Sequence, residues 1–137
     1  MPVTKRFFIC GFILFLLTPG LAQQTTPDIK GTWSGTFISK NPGTEPFTTT
    51  IKISSDSRAR LVGDASLVSS CLDNHHLQVT VSGSNIVLAG SDAKGDTVTF
   101  RGTIDSTATL LTLDYTINGS ASRRCEIDNG TGTMGKR

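Results

Sequence analysis

Two histidines stand side by side at His75 and His76, shortly after Cys71 and Asp73. Adjacent imidazoles near a carboxylate and a thiol are the materials of a transition-metal site, or of a proton switch near about pH 6.5. Neighbouring residues of a strand point to opposite faces, so the pair is badly placed to share one ion. They read instead as polar groups of a connection. Asp92, Gly95 and Asp96 fall in one short segment and hint at calcium. A calcium loop needs about six or more oxygens at alternate positions, and Lys94 stands where one belongs. An Asp/Gly hairpin turn accounts for the segment better. Asp105, Asp114, Glu126 and Asp128 could in principle pair for glycoside chemistry, but no spacing brings two of them together. There is no Gly-x-Ser-x-Gly, no His-Glu-x-x-His and no phosphate-cradling glycine loop. Asn118-Gly119-Ser120 and Asn129-Gly130-Thr131 match glycosylation acceptors and read as turns. No catalytic residue, no metal site and no cofactor is assigned, and the chain reads as non-enzymatic.

The elements that would carry any site are set by composition and pattern. Thr and Ser supply 34 of 137 residues, a strand-rich, helix-poor composition. Lys5-Arg6, an apolar run from Phe7 to Leu17 and small residues at Gly20 and Ala22 have the layout of a secretory signal peptide over 1–22. The run is far short of the roughly 20 residues that span a bilayer. Cleavage leaves 11 basic against 11 acidic residues. A neutral chain gives nucleic acid or an anionic membrane no electrostatic hold. The expected location is secreted or periplasmic, with no membrane partner after cleavage. Cleavage also removes Cys10 and leaves Cys71 and Cys125, an even pair that reads as a disulfide in an oxidising compartment. Such a bond contributes on the order of 4 kcal/mol in the chain-entropy picture.

After a lead-in over 23–30, period-2 alternation runs to the end of the chain. Trp33 and Phe37 share a face, then Phe47, Thr49, Ile51 and Ile53, then Leu61, Gly63, Ala65 and Leu67. Cys71 to His76 reads as a polar connection. Leu77, Val79 and Val81 follow, then Ile86 and Leu88, then Val98, Phe100, Gly102 and Ile104, then Leu111, Leu113, Tyr115 and Ile117. Asn118-Gly119 signals a tight hairpin. Cys125 and Ile127 open the last run, which Asp128-Asn129-Gly130 bends.

These are about eight short strands with hairpin-length connections and no helix. The fold class is all-β, one domain over 31–137, an antiparallel meander that closes into a barrel and so hides its edges. A β-sandwich is the alternative, and it requires longer crossovers. Glycines at 35, 63, 90 and 102 suit the bends a barrel needs. The inward face is Trp33, Phe37, Phe47, Ile51, Leu77, Val79, Leu88, Phe100, Leu113 and Tyr115. It is either the lining of a site for a small apolar molecule or a solid core under a Thr/Ser-rich interaction surface. Gly63 and Ala65 would leave room for a ligand. A Cys71–Cys125 bond would cross one end of the barrel, and a ligand would then enter at the other.

Gly31-Thr32-Trp33 at the head of the first strand resembles the opening of lipocalins and the wider calycin group, as does Gly35-Thr36-Phe37 the avidin-like members. The resemblance implies that Trp33 plugs one end of the barrel under a basic residue near the C-terminus, for which Arg123 or Arg124 is available. Leu113-Asp114-Tyr115 is similar to the group's Thr-Asp-Tyr motif. The C-terminal helix of lipocalins has no counterpart. With a single Trp, the chain lacks the aromatic set of the avidin-like biotin sites.

Overall fold

The computed structural model describes residues 25–67, 75–119 and 127–137. The signal segment, Cys71, Asp73, Arg123, Arg124, Cys125 and Glu126 lie outside the described residues. Eight strands follow in chain order: β1 Gly31–Ser39, β2 Phe47–Ser55, β3 Leu61–Leu67, β4 His75–Ser82, β5 Asn85–Ser91, β6 Thr97–Ile104, β7 Leu110–Asn118 and β8 Asp128–Lys136. Each pairs antiparallel with the next, and β8 returns to β1. The sheet closes, which excludes the sandwich.

Alternation decides which residues meet. Along β7 every second residue is buried, giving Leu111, Leu113, Tyr115 and Ile117 inside and Thr112, Asp114 and Thr116 outside. The same phase holds around the wall, so the interior is one cluster from Trp33 to Met134. Thr49 is the one buried threonine of β2, and its hydroxyl donates to the Ser66 carbonyl at 2.8 Å. The bond satisfies a hydroxyl that is shut off from water.

Three hairpin turns use one design. Asp56, Asp92 and Asp105 each accept two backbone N–H groups through Oδ1. The fourth residue of each turn is left-handed: Ala59 at φ 59°, Gly95 at φ 86° and Ala108 at φ 54°. The Asp92–Asp96 segment is thus a hairpin whose Asp92 carboxylate serves backbone amides.

Three local readings give way to register. His75 and His76 open β4 instead of belonging to a connection. Asn118-Gly119 does not make a two-residue hairpin, because Ile117 pairs with Asp128 across a longer connection. Asp128-Asn129-Gly130 does not bend: Gly130 sits in β8, paired with Ser39 on one side and Tyr115 on the other. The glycine answers a close approach. A Cβ there would lie 2.0 Å from the Ile38 oxygen and 2.6 Å from Tyr115 Cε1. Gly132 stands in the same relation to Phe37, at 2.5 Å from Cδ1. Glycines in a strand that lie under aromatic rings are a packing device of coiled sheets.

Candidate ligand site at the aromatic end of the barrel

The ten inward residues divide by height. Trp33 lies where β1 begins. Phe37, Phe47, Phe100 and Tyr115 lie toward the other end and form one cluster. Phe37 stacks on Phe47 with centroids 5.5 Å apart, and meets Phe100 at 5.3 Å and Tyr115 edge-on at 5.6 Å. Phe47 and Tyr115 meet edge-on at 5.0 Å. Such pairs add about 0.5–1.5 kcal/mol each beyond area burial. Phe47 alone of the four is only partly buried. Ile51, Leu77, Val79, Leu88 and Leu113 fill the space between the two levels, all buried. Gly63 does not leave room there, because Ile51 Cγ2 approaches its missing Cβ position to 3.2 Å.

A polar clamp surmounts the rings. Asp128 stands at an inward position of β8, two residues from Gly130. Its Oδ2 accepts the Tyr115 hydroxyl at 2.8 Å. Its Oδ1 accepts the Ser39 hydroxyl at 2.5 Å and the Asn41 side-chain amide at 3.0 Å. The carboxylate thereby ties the end of β1 to β7 and β8. Burial, then the bond to Asp128, pushes the Tyr115 phenol up to about 12. This end offers apolar ring faces with a charged, hydrogen-bonded group at their edge. The arrangement sets stacking surfaces beside a hydrogen-bond acceptor.

The opposite end is filled. Trp33 is wholly buried and its Nε1 donates to the Ile29 carbonyl at 2.8 Å. Ile29, grouped by sequence with the lead-in, is itself buried. Lys136 Nζ lies 5.6 Å from the indole centroid and donates to the Asp28 carbonyl at 3.0 Å. Among the described residues, the basic residue over the tryptophan is Lys136; Arg123 and Arg124 lie outside them. By strand alternation, the connections that carry Cys71 and Cys125 leave from the aromatic end, so the end opposite them is this packed one. Entry at the end away from those cysteines, as the sequence suggested, meets Trp33 and Ile29.

The other candidates stay apart. His76 pairs with Asp64 at 3.0 Å on the exposed wall. Asp105 lies in the β6–β7 turn, Asp114 on the outer face and Asp128 at the aromatic end, so no carboxylate pair forms among them. No group of three or more metal-ligating residues occurs among the described residues. Sequence reasoning missed Ser39 and Asn41, and considered Asp128 only as a member of a carboxylate pair. The signal was available in β8, where inward positions read Asp128, Gly130, Gly132, Met134 once the glycines are taken as seats for rings.

In overall fold the chain is similar to a solved structure of EF1p2_mFAP2b bound to DFHBI. The likeness has a TM-score of 0.57 at 15% identity, over 80% of this chain and 94% of that one. At that identity it speaks for the barrel alone. No protein-family model and no curated protein matches the sequence.

Proposed function

We propose that the protein is a small, extracytoplasmic, non-enzymatic barrel that binds a flat, apolar small molecule at its aromatic end. One observation carries the reading: Phe47, only partly buried, is stacked on a buried ring cluster whose hydroxyl is held by Asp128. A ligand that slides onto Phe37 and Tyr115 by displacing Phe47 would exchange one ring contact for another. A barrel of similar fold bound to DFHBI is in keeping with this. The signal layout supports export. The strands flanking Cys71 and Cys125 converge on this same end, which supports a bond between those cysteines beside the site.

A second reading has its own support. The buried apolar side chains form one cluster, and exposed Thr48, Thr36, Thr133, Thr112 and Thr103 form one continuous row around the outer wall. A solid-core module that contacts partners through this surface would look the same. Native mass spectrometry of the secreted protein separates the two. A bound small molecule that is lost in Phe47→Ala supports the ligand reading. A mass equal to the bare chain, together with no response to a panel of flat aromatic compounds, leaves the solid-core module.

A further inference from the structure

Asparagine stands before glycine twice in the chain, at Asn118-Gly119 and Asn129-Gly130, and each pair is followed by a hydroxyl residue. The local chemistry is the same, and the fold separates the two. Asn129 lies inside β8 and is held from both sides. It pairs with Thr116 of β7, and its carbonyl accepts the Lys40 amide at 2.8 Å. Gly130 is buried and paired with both Ser39 and Tyr115. Asn118 is the last residue of β7. It pairs with Thr97 of β6, but the pairing of β7 with β8 stops one residue earlier, at Ile117 opposite Asp128. Asn118 is exposed, and Gly119 lies beyond the strand.

An asparagine in this setting can close a ring on its own main chain. The glycine amide nitrogen attacks the asparagine side-chain carbonyl carbon, a C–N bond forms, and ammonia leaves. Water then opens the succinimide at either carbonyl and gives aspartate or isoaspartate. Glycine favours the attack because it lacks a Cβ beside the nitrogen and turns freely. In a strand the side chain stands off the sheet while the next amide lies within it, so the two meet only after the main chain rotates. At Asn129 that rotation breaks bonds to β1 and β7 and requires local unfolding. At Asn118 it requires only fraying of a strand end.

We propose that Asn118 is a site of self-modification in the folded protein, and that its place inside β8 shields Asn129 from the same reaction. The product sets a new carboxylate at the end of β7. Its isoaspartate form adds one carbon to the main chain where β7 leaves the barrel. The proposal does not depend on ligand binding at the aromatic end. The purified full chain is aged in mildly alkaline buffer made with heavy-oxygen water, folded and in urea, and followed by peptide mass spectrometry. In urea both asparagines should convert at similar rates. In the folded protein Asn118 should take up one heavy oxygen in its new carboxylate and convert at least about tenfold faster than Asn129, which reacts only through opened states. Gly119→Ala should slow Asn118 and leave Asn129 as it was. The proposal is overturned if Asn118 remains an amide in the folded protein, if Asn129 keeps pace with it there, or if Gly119→Ala makes no difference.

Discussion

Where β1 begins, Trp33 is gripped by the backbone of the segment before it and covered by Lys136. Where β1 ends, four rings lean on one another, and a carboxylate gathers a tyrosine, a serine and an asparagine. In the first arrangement each polar atom has a fixed main-chain partner, Ile29 for the indole and Asp28 for the ammonium. In the second the partners are side chains, which can rotate. A main-chain grip makes a plug. A side-chain network over rings of which one is only partly buried leaves a surface with more freedom to rearrange. β8 serves both, with Asp128 inward at one end and Lys136 at the other.

The largest effect that would break this contrast is at the plug. Trp33→Ala should cost roughly 3–5 kcal/mol in chemical denaturation, since the ring is wholly buried. The native indole, the chain's only one, should emit at short wavelength. A water-like emission maximum in the folded protein would refute the plug.

At the aromatic end the comparable change is smaller. Tyr115→Phe keeps the ring and removes one hydrogen bond to a charged group, a cost of about 1.5–3 kcal/mol. The parent protein offers a direct check, because it has one tyrosine. Phenolate absorbance should appear near pH 12, not near the usual value of about 10. The folded phenol titrates above the unfolded one, so its contribution to stability is complete below about pH 10 and fades as pH rises toward 12. Titration at the free value would show that the clamp is absent in solution.

How much of this was legible beforehand depends on the period of the signal. Strand alternation repeats every two residues, so the first seven strands and all ten inward residues could be read from Trp33 to Tyr115, and the eighth only in part. Asp128-Asn129-Gly130 has the chemistry of a turn, and only the rings of Tyr115 and Phe37 lying over β8 show why glycine is there. That is a contact between strands, invisible to local preference. Ile29 and Lys136 were missed for a related reason. Each is one apolar or basic residue outside an alternating run, and only the position of Trp33 gives it meaning. The carboxylate clamp follows from the register of β8 against β7, which the misplaced turn concealed.

The turns sharpen the comparison further. Two of the three Asp-headed turns, at Ala59 and Ala108, lie at the plug end and hold alanine in a left-handed conformation. The third, at Gly95, lies at the aromatic end. Alanine pays about 1 kcal/mol or more for that conformation, partly offset because glycine is freer when unfolded. Ala59→Gly and Ala108→Gly should each raise stability by up to about 1 kcal/mol. A loss of stability in both would show that the turns relax in solution.

The smallest effect is an acid one. The Thr107 hydroxyl, then the Leu110 amide, holds the Asp105 carboxyl well below the usual carboxylate range. The folded value lies below the unfolded one, so its contribution is present above about pH 4 and is lost as pH falls below that. Asp105→Asn should therefore be less stable than the parent at neutral pH, and the difference should shrink by pH 3. A difference that stays constant with pH would assign it to packing.

The glycines of β8 have a consequence for the order of assembly. Every other pairing joins strands that are neighbours in sequence, but Trp33 pairs with Lys136, across nearly the whole chain. That seam is the costliest to close in chain entropy. It is also the seam whose strand brings the least side chain inside, with Met134 its only large apolar residue there. The barrel is therefore a seven-strand sheet closed by a final stave, which adds to its backbone bonds only Met134 and the polar contacts of Asp128 and Lys136. Amide hydrogens of Thr131 to Gly135 should exchange before those of Leu111 to Ile117, and the stave is the piece two copies could trade.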